Sequence, residues 1–149
     1  PDRSARDVPA LAKLGGFRER TWAPSSYAFV RKGDGDLFEG VPGIPLRIAG
    51  PVALLEGVSG KVLAEAQLPE APPTINTTLL WHEPAGDEDR SHPYVVKKTH
   101  GKGVCLYAAS PLASSLSTFH DIAGGWAKEL ARRLLGMVLP EKDRVLSID

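Results

Sequence analysis

The clearest hydrophobic period lies near the C-terminal end of the chain. Ile122, Trp126, Leu130, Leu134 and Val138 recur every four residues, the stripe of an amphipathic helix. The spacing predicts one long helix over about 119–138. Ala123, Ala127 and Ala131 flank the stripe and allow close packing, and Glu129 and Arg133 form an i,i+4 pair expected on the exposed side. A shorter helix is predicted near the start. Ser4-Ala5-Arg6-Asp7 fits a capping signal, Pro9 suits a first turn, Val8, Leu11 and Leu14 share a face, and Gly15-Gly16 stops the helix.

Between the helices the pattern is β-like. Tyr27–Val30, Leu46–Ile48, Val52–Glu56, Val62–Ala66 and Thr77–Trp81 read as short strands. Gly33–Asp36, Gly40–Pro45, Val58–Lys61 and the Pro-rich residues 69–74 read as turns or loops. The strongest local signal is a hairpin, Tyr94–Thr99 and Val104–Ala109 around His100-Gly101-Lys102-Gly103. Its second run is apolar throughout, as expected of a strand buried on both faces. The order of helix, short strands, buried hairpin strand and helix predicts an α/β domain with an inserted antiparallel β excursion.

Residues 1–140 are expected to be the C-terminal part of that domain. Arg144–Asp149 alternates like the start of a strand without a partner, so 141–149 is expected to open a linker or a following β domain. The chain opens at Pro1 rather than Met, which adds to the expectation of a piece of a longer polypeptide.

Composition narrows the function classes. The 149 residues are 42% hydrophobic and 24% charged, with eighteen basic residues balancing eighteen acidic ones. Zero net charge gives no electrostatic footprint for nucleic acid or an anionic membrane. No apolar run approaches the ~20 residues that span a bilayer, and no signal segment opens the chain. A cytoplasmic setting is expected. The single cysteine, Cys105, excludes an internal disulfide and multi-cysteine zinc patterns.

Candidate chemistry is sparse. Cys105 lies in an apolar strand, where a thiol has neither cation nor helix N-terminus to activate it, so a buried structural role is expected. His82 and His92 lie ten residues apart, outside compact metal spacing. His100 is expected on the hairpin surface, and Asp121 after His120 is a candidate N-cap. Asp34, Asp36 and Glu39 miss the calcium-loop spacing. Gly124 and Gly125 in the first turn of the last helix are either close-packing residues or an anion site. Trp81, with His82 and His92, is the candidate contact with another domain or subunit. No catalytic residue, metal or cofactor is implied.

Certain phrases carry a resemblance. Leu14-Gly15-Gly16-Phe17, Asp36–Pro42, Leu46–Pro51, Gly60–Ala64, Pro93–Val96 and His100–Ala109 follow one another in order before the closing helix. In that order they resemble the C-terminal half of a class I glutamine amidotransferase-like domain. The likeness is to the kind appended to bacterial glycoside-hydrolase-like proteins, of the β-galactosidase trimerisation and putative α-L-fucosidase type. The resemblance implies a partial flavodoxin-like, three-layer sheet and a structural or oligomerisation module without catalysis. Ala109-Ser110-Pro111-Leu112-Ala113 stands where an active amidotransferase keeps a His-x-Glu. Expected partners are the remaining domains of the parent chain and a second copy in a homo-oligomer, with a carbohydrate as the parent's substrate. The alternatives are a hydrolase or amidotransferase site completed by a missing half or partner chain, and a small-ligand module using residues 110–121.

Overall fold

A computed structural model describes residues 8–23, 25, 27–32, 36–39, 46–49, 51–70, 86–111 and 121–139. Its elements are α1 (Val8–Gly15), β1 (Glu19–Trp22), β2 (Tyr27–Lys32), a 3-10 turn (Asp36–Phe38), β3 (Leu46–Ala49), β4 (Ala53–Glu56), β5 (Lys61–Pro69), β6 (Gly86–His100), β7 (Gly103–Ala108) and α2 (Asp121–Val138). β1 and β4 form a small ribbon, and the other five strands make one sheet in the order β3-β2-β5-β6-β7. Every strand pair is antiparallel. The expected flavodoxin-like α/β architecture is therefore overturned: the described residues form a mostly antiparallel sheet, curled as a half-barrel, with two helices.

The direction of pairing follows from the connections. A two-residue turn at Gly101-Lys102 joins β6 to β7, and Gly101 takes φ of 58° to make it. Such short links force antiparallel neighbours, whereas parallel strands need a crossover of a dozen residues or more. β6 is also longer than its apolar run. Residues 82–92 read as a polar loop, but of the described part Ser91 and His92 pair with Gln67 and Ala66 of β5, and Gly86 pairs with Pro69. Register shifts along that pair, between Val62 and Ala64 and again toward Pro69, bend the strands as bulges do.

That bend decides where α2 goes. Five strands laid flat would put the outer two about 19 Å apart at ordinary spacing. A helix with side chains is only about 10–12 Å across. Yet α2 touches both β3 and β7, the two outer strands. The sheet must curl around the helix to permit this. Leu130 and Leu134 of the predicted stripe are buried in the concave face, in one cluster with Ala28, Val30, Ile48, Ala64 and Val95. α1 packs on the opposite side, against β6, β7 and β1, where Phe17 meets Tyr107 at 4.7 Å between ring centres.

The Glu129–Arg133 pair forms as expected, but it is not an outlying surface contact. Glu129 accepts from Arg133 at 2.6 Å and from Arg132 at 2.7 and 2.8 Å. Arg133 also donates to the carbonyls of Leu37 and Glu39, tying the 3-10 turn to α2. The Arg132 and Arg133 hydrogen bonds pull the Glu129 carboxyl down to about 2 from its ordinary 4.5. A value lower in the folded state means that the pairing stabilises above about pH 4.5 and is lost as the pH falls toward 2. Glu129→Gln is expected to flatten this part of the acid-unfolding profile. At neutral pH it should cost no more than about 1 kcal/mol, because the pair is partly solvated. Urea titrations between pH 2 and 7 would show it, and an unchanged acid limb would contradict the assignment.

Candidate functional site

Among the described residues, the outer strand β7 and the helix beside it form the most distinctive surface. β7 was expected to be buried on both faces because it is uniformly apolar. It is instead an outer strand, and none of its side chains is buried. Val104, Leu106 and Ala108 lie on its concave face, and Cys105 and Tyr107 on the other. α2 crosses above the concave side without sealing it. Val95, Leu106 and Ala108 from the sheet and Ala131, Leu134, Leu135 and Val138 from the helix line an open groove of about 300 Å³. Of its lining, Leu135 and Val138 are 38% and 41% exposed, and Val104, on the same face of β7, is 39% exposed.

The backbone of β7 has a defined polarity. The Ala109 amide donates to the Tyr94 carbonyl at 2.8 Å. The β6–β7 register then runs one-to-one from Val95 and Ala108 to His100 and Gly103. In an antiparallel ladder alternate residues face the partner strand. Gly103, Cys105 and Tyr107 therefore direct their amides and carbonyls toward β6. Val104, Leu106 and Ala108 direct theirs outward, and among the described residues no strand pairs with them. Natural edges are guarded by charge, proline or a bulge. β7 has none of these between Gly103 and Ala108, whereas the opposite outer strand, β3, carries Arg47.

The residues singled out from sequence do not converge here. Trp81 and His82 lie outside the described residues. His92 lies in β6 opposite Ala66, not in a loop, and beyond the stretch that pairs with β7. Burial, and then the charge of Arg90, hold its imidazole below the usual 6.5, so it is neutral at pH 7. Gly124 and Gly125 fall in the first turn of α2 as predicted, and the side chains around them lie outside the description. His100 is exposed and donates from Nε2 to the Leu14 carbonyl at 2.9 Å, which caps the end of α1.

Cys105 is half-buried rather than fully buried. Its cross-strand neighbour is Lys98, so a cation does stand nearby. The Lys98 ammonium, however, donates to Ser59 Oγ at 2.9 Å. Ser110, just after β7, is hydrogen bonded to Tyr94 through their hydroxyls at 2.7 Å, both buried. Burial pushes the Tyr94 phenol up to about 12 despite that bond. Among the described residues no group of three or more His, Cys, Asp or Glu could hold a metal ion, and no helix is long and apolar enough to cross a membrane.

A second exposed feature lies around β1. Trp22 is largely solvated, with the Arg20 guanidinium 5.4 Å from its ring centre. Arg20 also donates to the Tyr107 hydroxyl at 3.1 Å, so this cluster is internally satisfied. The signal for the β7–α2 groove was present in the sequence. Leu134-Leu135 widens the helix stripe beyond what one buried face needs, and the β7 run lacks any charge. Compared with known proteins, the chain matches no family model, no curated protein and no solved structure.

Proposed function

We propose that this chain is a non-catalytic assembly module that joins its polypeptide to another protein surface through β7 and the C-terminal half of α2. One observation carries the reading: an uncharged edge strand and an apolar groove lie side by side and share Leu106 and Ala108. Contiguous exposed apolar surface of this kind marks protein contacts, and open strand edges recruit further strands. Small-molecule sites are usually enclosed clefts of about 300–1,000 Å³ with a few convergent polar groups. This groove is at the lower limit, open, and lined by apolar side chains alone, which favours a protein contact over a small ligand.

The larger parent of glycoside-hydrolase-like type rests on the order of sequence phrases. The antiparallel sheet withdraws the support that a shared fold would have lent to it. The assembly reading stands without that parent. Replacing Leu135 and Val138 together by Glu tests it, since both side chains are exposed and the helix should persist. The double variant is expected to keep its circular dichroism and lose at least tenfold in the affinity of whatever assembly the full-length protein forms, read by light scattering after size exclusion. An unaltered assembly with an unaltered fold would contradict the proposal.

A further inference from the structure

We infer that the partner on this surface is a second copy of the chain, joined by antiparallel pairing of β7 with its own symmetry mate, with Leu106 on the two-fold axis. The inference rests on the assembly reading above and adds the occupant and the register.

The edge sets the register. Only Val104, Leu106 and Ala108 direct amides and carbonyls outward, so a pairing strand must bond to those three residues. For a self-pairing strand, placing Leu106 opposite Leu106 of the mate puts Val104 opposite Ala108 and Ala108 opposite Val104. Each outward residue then gives one donor and receives one acceptor, and none is left over. Moving the axis to Cys105 pairs Val104 with Leu106 but sends Ala108 into the turn at Lys102, where the strand has ended. The Leu106 register is the one that satisfies the whole edge.

Charge and symmetry favour self-association. β7 has no charged residue, so pairing it with itself brings no like charges together. The chain as a whole has zero net charge, so no long-range repulsion opposes two copies. The contact uses the same surface on both copies and closes on itself as a dimer, without propagating into a fibre. The axis of an antiparallel pair is normal to the sheet, so both α2 helices lie on one face. Leu106, Leu135 and Val138 of each copy then flank the seam, and the two open grooves lie beside it. This covers apolar surface that the single copy leaves wet.

A cysteine placed on the axis reports the register. Directly opposed residues that bond to each other across such a pair have Cα atoms about 5.5 Å apart, within the range a disulfide spans. The full chain carrying Leu106→Cys with Cys105→Ser is expected to give a covalent dimer under mild oxidation, at concentrations where Cys105→Ser alone does not. Because Leu106 also packs partly on the core, the exposed Val104→Lys variant provides a second reading. It should fold normally and shift the dimer dissociation constant at least tenfold toward monomer in sedimentation equilibrium.

A dimer that crosslinks through native Cys105 but not through Leu106→Cys would overturn the register. A monomeric full chain whose assembly with a different protein is still lost in the Leu135→Glu, Val138→Glu variant would overturn the second copy as occupant and leave the assembly reading standing. A folded chain that neither dimerises nor assembles would overturn both.

Discussion

Tyr94→Ala is expected to remove about 4 kcal/mol of stability, the largest single effect in this fold. Tyr94 lies in β6, where the sheet is covered on both sides, and it is fully buried. Neighbouring Val95 points to α2, while Tyr94 and Val96 point to the side of α1. Removing the ring leaves a cavity that backbone on a central strand cannot close. It also strips the hydroxyl of Ser110 of its buried partner, and an orphaned buried hydroxyl costs about 1–3 kcal/mol by itself. Against a typical total of about 5–15 kcal/mol, the variant should be marginal at 37 °C. Tyr94→Phe separates the two parts. It keeps the ring and should lose only about 1–2 kcal/mol. Urea unfolding of both variants decides the matter. A Tyr94→Ala loss equal to that of Tyr94→Phe would mean that the ring is not part of the packed core.

The second large effect is at Gly60, in the turn that leads into β5. A Cβ there would lie 2.6 Å from Val96 Cγ1 and 2.7 Å from the Lys97 carbonyl oxygen. One of those neighbours is backbone of the adjacent strand and cannot swing aside, so the β5–β6 ladder must move. Overpacking of that kind costs about 1–3 kcal/mol, and the backbone contact places Gly60→Ala near the upper end. Gly101 is the useful contrast. It holds φ of 58° in the β6–β7 turn, but a side chain there meets nothing within 4 Å. Gly101→Asn should cost only a few tenths of a kcal/mol, because Asn adopts that region readily. Equal losses at Gly60 and Gly101 would contradict the close approach of the turn to β6.

These two sites show where the fold was legible in the sequence. The hairpin, α1 and α2 follow from local signals that tertiary structure did not override. A double-glycine turn sits between two β-rich runs, and helix stripes recur at the expected spacing. The direction of the sheet was not legible, because an apolar run records burial and not the orientation of its neighbour. β7 misled for the same reason. Its lack of polar residues fits a central strand, and here it fits an edge. β6 is longer than its apolar run because Gly86, Ser91 and His92, in a stretch whose Asp87, Asp89 and Arg90 look like loop residues, are paired with β5. β1 was missed altogether: Glu19-Arg20-Thr21-Trp22 is short and polar, and only its pairing with β4 makes it a strand.

The candidate site was harder to read than the fold. Trp81 and His82, at the end of the strand expected over Thr77–Trp81, are candidate contact residues by their residue types, and they lie outside the described residues. The groove depends on two segments thirty residues apart, β7 and the second half of α2, and neither is unusual alone. Leu135 and Val138 differ from Leu130 and Leu134 only in where the sheet edge falls beneath them. Periodicity cannot supply that. It assigns all of them to one apolar side, and only the position of β7 shows which are left uncovered.

The most direct test of the central claim is amide hydrogen exchange at Val104, Leu106 and Ala108 in the full-length protein. Their amides point away from β6, and among the described residues no strand pairs with them. If β7 is an assembly edge, these three amides should exchange slowly at high protein concentration and speed up together on dilution or in the Val104→Lys variant. Cys105 and Tyr107, bonded inward, should change far less. Fast exchange at all three positions at every concentration, with Cys105 and Tyr107 protected, would contradict the account.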